Sequence, residues 1–69
     1  MKKKMLEQYM LQNGYSITSI SRKLRCTPAT LLNKLNGKSQ FTLWELQKLK
    51  KILHLNMEDV EILFFSNNN

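Results

Sequence analysis

The run TPATLLNKLNG, from Thr27 to Gly37, leaves little freedom in how this chain can fold. The Thr27 hydroxyl can accept from the orphan backbone donors of a first helical turn. Pro28 suits the first helical position, where its missing N–H would have had no partner. Gly37 can end the helix in a left-handed conformation. These signals predict a helix over 28–36. Within it Leu31 and Leu35 lie four apart on one face, while Ala29, Thr30, Asn33 and Asn36 fall largely on the other. One side is apolar, the other small and polar.

A second helix is expected just upstream. It opens at Ser16 and carries Ile17, Ile20 and Leu24 at spacings of three and four, with the small Ser21 where another helix could approach closely. About three residues, Arg25 to Thr27, separate the two, and that spacing suits a helix-turn-helix. Residues 3–13 read as a further helix with Leu6, Met10 and Tyr9 inward, stopped by Asn13-Gly14 and followed by a packing residue, Tyr15.

After Gly37 and a short loop, Thr42 and Glu45 stand at capping-box positions, with Phe41 and Leu46 at the positions of a hydrophobic staple. A helix should start at about Leu43, with Leu46, Leu49, Ile52 and Leu53 as its apolar stripe and Lys48, Lys50 and Lys51 toward solvent. His54 falls where it ends. Asn56 then caps a last helix over 57–64, with Glu58 and Asp59 in its first turn and Met57, Val60, Leu63 and Phe64 on its inner side. Residues 66–69, SNNN, read as a disordered tail. Five helices and no period-two alternation predict an all-α fold, one domain over 1–65.

Sixty-nine residues lie near the lower limit for a core without disulfides or metal, so self-association would help. The start lacks the apolar run of a signal peptide, and the single Cys26 does not suit a secreted disulfide scaffold. A cytoplasmic protein is expected. The net charge of +6 is uneven: residues 1–38 hold eight Lys or Arg against Glu7 alone, whereas 39–69 hold three against four acids. Halves of +7 and −1 suit a nucleic-acid-binding face beside a packing face, although basic charge also simply solvates a small domain.

Catalysis lacks convergent reactive groups. Glu45 serves the capping box, and Glu58, Asp59 and Glu61 crowd the last helix, where the dipole and solubility account for them. His54 has no second His, Cys pair or acid at ligand spacing, so no metal site is read. Cys26 reads as a small buried hydrophobe. The lysines at 2–4 read as a solvated end or as an arm touching phosphates. A membrane role for the first helix conflicts with the need for its apolar residues in the core.

Nucleic acid fits through a specific geometry, because a helix fits the major groove of B-DNA and residues near its N-terminus reach base edges. The base readers would be Thr27, Ala29, Thr30 and Asn33, with Leu32 as a further candidate. Asn33 can pair bidentately with adenine, and Ala29 or the Thr30 methyl can meet a thymine methyl. Ser16, Arg22, Lys23, Asn36, Lys38 and Ser39 would grip phosphates. The competing reading is that Thr27 and Asn36 serve only as caps, and Leu32 only as a core residue.

These residues resemble the helix-turn-helix domains of the lambda-repressor and Cro type, in particular small regulators of phages of Gram-positive bacteria. The resemblance covers about residues 5–62. It rests on Ser21, on Ile20, Leu24, Cys26 and Leu31 at apolar positions, on NKLNGK from Asn33 to Lys38, and on FTLWEL and LHLNMEDV beyond. It implies a five-helical, sequence-specific transcriptional regulator of double-stranded DNA, a homodimer on a partly palindromic operator, with no cofactor, small-molecule substrate or membrane partner. Ile17 stands where the family commonly has a phosphate-binding Gln, and Pro28 and Ala29 where it often has hydrogen-bonding readers. Arg25 replaces a frequent turn Gly and would add a phosphate contact in return for a strained left-handed turn. Lys34 replaces a frequent apolar residue, its stem over the core and its ammonium reaching outward as a further phosphate contact. Pairing would use Ile62, Phe64 and Phe65, which inward packing cannot all hide. The alternative is a protein-binding module or antirepressor on the same fold.

Overall fold

Four of the five helices begin where a side chain takes up a free N–H group, and the first four end where the backbone turns left-handed. The computed structural model describes residues 1–65, so the tail expected at 66–69 lies outside the described residues. The helices are α1 (Lys3–Gln12), α2 (Ile17–Lys23), α3 (Pro28–Leu35), α4 (Leu43–Ile52) and α5 (Met57–Val60), and no strand occurs among the described residues. The all-α, five-helix fold read from the sequence is the one observed.

The expected N-caps are all in place. Ser16, Thr27, Thr42 and Asn56 have extended backbones, and each accepts through its side chain from the backbone N–H three residues on. Glu45 completes the Thr42 box, and Ser19 and Asp59 complete those of Ser16 and Asn56. At the other ends one closure recurs four times. After α3, the Gly37 N–H donates to the Lys34 carbonyl (3.2 Å) and the Lys38 N–H to the Asn33 carbonyl (2.9 Å). This is the paired Schellman closure, which requires positive φ at its central residue. Gly14, Arg25 and His54 close α1, α2 and α4 with the same two bonds. Gly14 and Gly37 enter this region without a Cβ penalty, whereas Arg25 (φ 58°) and His54 (φ 56°) carry it.

The short loops that result turn the apolar stripes of all five helices inward. Leu6 and Met10 of α1, Ile20 and Leu24 of the α2 region, Leu31 and Leu35 of α3, and Leu49 and Leu53 of the α4 region form one core. A fully buried leucine contributes about 2 kcal/mol relative to an exposed one. Ser21, also buried, donates from its hydroxyl to the Thr18 carbonyl at 2.7 Å, so its polar atom is satisfied. The Lys2 N–H donates to the Leu63 carbonyl at 2.9 Å and ties the start of α1 to the last helix.

The last helix differs from expectation in two ways. After Val60 the helix widens into a π-helical turn, Glu61–Phe65, and so runs to 65. Met57, expected inward, is 70% exposed. Leu55 takes the inward place instead, because the closure at His54 swings the following residue into the core beside Val60 and Leu63. Phe64 is half-buried and meets Phe41 edge to face, with ring centres 5.8 Å apart. Tyr9 is also only half-buried, because its hydroxyl donates outward to Asp59 Oδ1 at 3.2 Å.

A Cβ built on Gly37 meets nothing within 4 Å, so only its backbone conformation resists substitution. Gly37→Ala should therefore lower unfolding free energy by about 1 kcal/mol, and His54→Gly should raise it by up to about 1 kcal/mol. Urea unfolding of the two variants measures both.

Candidate nucleic-acid interface

The burial of α3 follows from where its leucines fall. Leu31 and Leu35 are almost wholly inaccessible, and at 100° per residue Asn33 points directly away from them. Ala29, Asn33 and Asn36 are exposed, with Thr27 at the cap. Leu32 is 41% exposed and so belongs to the outward flank rather than to the core. Of the polar face read from the sequence, Ala29, Asn33 and Asn36 are turned to solvent and Thr30 is half-buried at its edge.

Thr27 and Thr30 are already partnered with each other. The Thr27 oxygen accepts from the Thr30 N–H at 3.2 Å, and the two hydroxyl oxygens share a hydrogen bond at 2.9 Å. Whichever hydroxyl donates in that bond, the other keeps its proton, so the pair retains one outward donor. Capping and contact are therefore compatible at Thr27. Ser16 caps α2 by accepting from the Ser19 N–H at 3.1 Å. Its backbone N–H donates to the Ser19 hydroxyl at 2.8 Å.

Arg22 and Lys23 at the end of α2, and Lys38 and Ser39 just past α3, are exposed on either side of this surface in the chain. Asn36 receives a hydrogen bond on Oδ1 from the Lys3 ammonium at 2.6 Å. One lysine of the N-terminal run thus stands at the end of α3. The Arg25 guanidinium lies over the Trp44 ring, 6.0 Å from its centre.

Lys34 departs from expectation. Its ammonium turns inward, donating to both Glu45 carboxylate oxygens at 2.6 and 2.5 Å, with the two side chains only 12% and 7% exposed. The same carboxylate accepts from the Thr42 N–H at 2.8 Å, so Glu45 is at once an N-terminal cap of α4 and the counter-charge to α3. The reason is electrostatic: an ammonium over the core takes the nearest buried carboxylate rather than leave it unpaired. Burial works against ionisation of Glu45. The Lys34 ammonium and the Thr42 backbone outweigh it, and the carboxyl is held below its usual range. Burial, with Glu45 nearby, pushes the Cys26 thiol up, in keeping with a protonated, half-buried packing residue. The sequence did hold a signal for the ion pair, since Glu45 is the one acid between positions 8 and 57. The contacts of Lys3 with Asn36 and of Arg25 with Trp44 have no comparable signal, being set by tertiary approach.

Among the described residues no group of His, Cys, Asp or Glu could hold a metal ion, and no helix is long and apolar enough to cross a membrane. Two helices joined by the tight turn at Arg25, the second exposing a polar face between basic residues, define a helix-turn-helix domain. Residues 5–65 match the model of the Cro/C1-type HTH DNA-binding domain, and the chain belongs to this family, which binds DNA and is not enzymatic. Neither a curated protein nor a solved structure matches the chain.

Lys34→Met leaves the Glu45 carboxylate buried without its counter-charge and should cost about 3 kcal/mol of stability. The double variant Lys34→Met/Glu45→Gln, in which Gln keeps the capping box, should recover most of that loss in thermal or urea unfolding. Because the folded pKa of Glu45 is depressed, its contribution is complete above the unfolded value of about 4.3. It is lost as pH falls through the folded value. Acid titration of stability should therefore be shallower in Glu45→Gln than in the parent.

Proposed function

We propose that the protein is a sequence-specific transcriptional regulator of the repressor or Cro-like type that acts as a homodimer, with α3 in the major groove of its operator. The observation that carries this reading is the outward face of α3: Asn33 stands opposite the buried leucines, with the exposed cations Arg22 and Lys23 before it in the chain and Lys38 after it. Asn33 pairs with an adenine edge, Ala29 and the Thr30 methyl meet thymine methyls, and Thr27 supplies a hydroxyl. Phosphates are gripped by Ser16, Arg22, Lys23, Arg25, Asn36, Lys38 and Ser39. With its ammonium committed to Glu45, Lys34 serves this interface by anchoring α3 rather than by touching DNA.

The longest dimension of the described residues is 28 Å, less than the roughly 34 Å of one DNA turn, so one copy covers one half-site and a palindrome calls for two. Ile62 and Phe65, 41% and 63% exposed, are the apolar residues through which the copies would pair. Phe64, half-buried against Phe41, borders with Phe65 a groove of about 330 Å³. The resemblance to small phage regulators supports an origin in a phage or another mobile element.

Selection of bound sites from random duplexes supplies the operator for the test. On the selected site Asn33→Ala should cost about 1 to 3 kcal/mol, with little change on unrelated DNA. Lys38→Ala should weaken binding to both and flatten the salt dependence by about one unit. Equal loss from Asn33→Ala on every duplex would remove Asn33 as a reader. A parent that enriches no site and binds a regulatory protein instead would favour the antirepressor reading.

A further inference from the structure

Two costly features meet at one place on the surface. Arg25 holds a left-handed backbone (φ 58°) at a closure where glycine would be free of strain. Trp44, the single tryptophan of the chain, is 46% exposed on the first turn of α4. The guanidinium carbon of Arg25 lies 6.0 Å from the centre of that indole. A stability argument alone explains neither, since an exposed cation over an aromatic ring contributes little, and the core does not need the exposed part of the ring. The closure requires the left-handed backbone but not a side chain on it, and a side chain kept at that cost points to a use for it.

We infer that Trp44 is a positioning residue: its indole face holds the Arg25 guanidinium ready as a clamp on a DNA phosphate beside the start of α3. This rests on the DNA reading above and goes beyond it by giving α4 a part in the contact. The geometry suits the role because attraction to the ring needs no hydrogen-bond acceptor, so the N–H donors of the guanidinium are left for a phosphate. A planar fork fixed in advance matches two phosphate oxygens at once, and less side-chain entropy is lost when it binds. The position suits it as well. Arg25 lies in the turn between α2 and α3, two residues before the Thr27 cap, so a phosphate held there would set how the first turn of α3 enters the groove. Glu45, the nearby acid on α4, does not compete for it, because Lys34 holds that carboxylate.

The test is the salt dependence of binding to a fluorescently labelled random-sequence duplex of about 24 base pairs, followed by anisotropy so that loss of the tryptophan does not affect the signal. Phosphate contacts operate on any sequence, so no operator is needed. Trp44→Leu, which keeps apolar bulk but removes the ring face, should lower the slope of log K against log salt by about 0.9, one contact's share. Near 0.1 M salt that corresponds to about a tenfold loss of affinity. Trp44→Phe should retain most of the parent's slope. Arg25→Gly should lower the slope by the same amount without lowering the thermal unfolding midpoint, because glycine relieves the left-handed strain. The double variant Trp44→Leu/Arg25→Gly should lose no more slope than either single change. A folded Trp44→Leu or Arg25→Gly with the parent's slope overturns the inference while leaving the DNA reading intact. Additive losses in the double variant overturn it too. If Trp44→Leu does not fold, Trp44→Gln, which also removes the ring face, takes its place and is judged by the same slopes. A parent that binds no duplex even at low salt overturns the DNA reading, and this inference with it.

Discussion

The carboxylate of Glu45 joins the parts on which the rest of the molecule depends. It takes the Thr42 N–H at the head of α4 and both contacts from the Lys34 ammonium on α3. A capping box ordinarily satisfies only its own helix; here the same group also fixes a neighbour. In a domain of 69 residues, where net stability is a few kcal/mol, removing one partner of a nearly buried ion pair takes away a large share of it, so α3 and α4 are held together as a pair. Its desolvation penalty is offset because the carboxylate also accepts from the backbone, and no buried side-chain polar atom among the described residues is left without a partner.

That anchoring explains how so short a helix can present a defined surface. An isolated eight-residue helix would not persist in water. α3 persists because Thr27 and Pro28 start it, Gly37 closes it, Leu31 and Leu35 are buried beneath it, and Lys34 ties its side to α4. What remains outward is small and polar, with Ala29 and Asn33 at the centre and cations before and after. A groove with a negatively charged backbone on each side is the complementary shape.

The sequence disclosed most of the helix boundaries because those are local chemistry. Ser16, Thr27, Thr42 and Asn56 cap the helices they were expected to cap, and Gly14 and Gly37 turn left-handed as glycine allows. His54, which falls at the end of its helix as expected, turns left-handed despite its Cβ. Less was legible where a side chain chooses between two environments. Lys34 could reach solvent or turn inward, and the pull of a single buried acid decides. Met57 and Leu55 compete for one inward place, and the backbone reversal at His54, rather than periodicity, awards it to Leu55. The π-helical end of the last helix follows from no residue pattern before it, and we have no physical account of it. The outward face of α3 was legible, because the helix has only one side left once its leucines are buried.

The central claim is that the face of α3 away from Leu31 and Leu35 is the surface that meets DNA. Backbone amide resonances followed by NMR as a duplex carrying the selected site is added test it most directly. The account predicts that the largest changes fall within 27–38, around Ala29, Asn33 and Lys38. Changes concentrated in 57–63, with residues 27–38 unmoved, would contradict it.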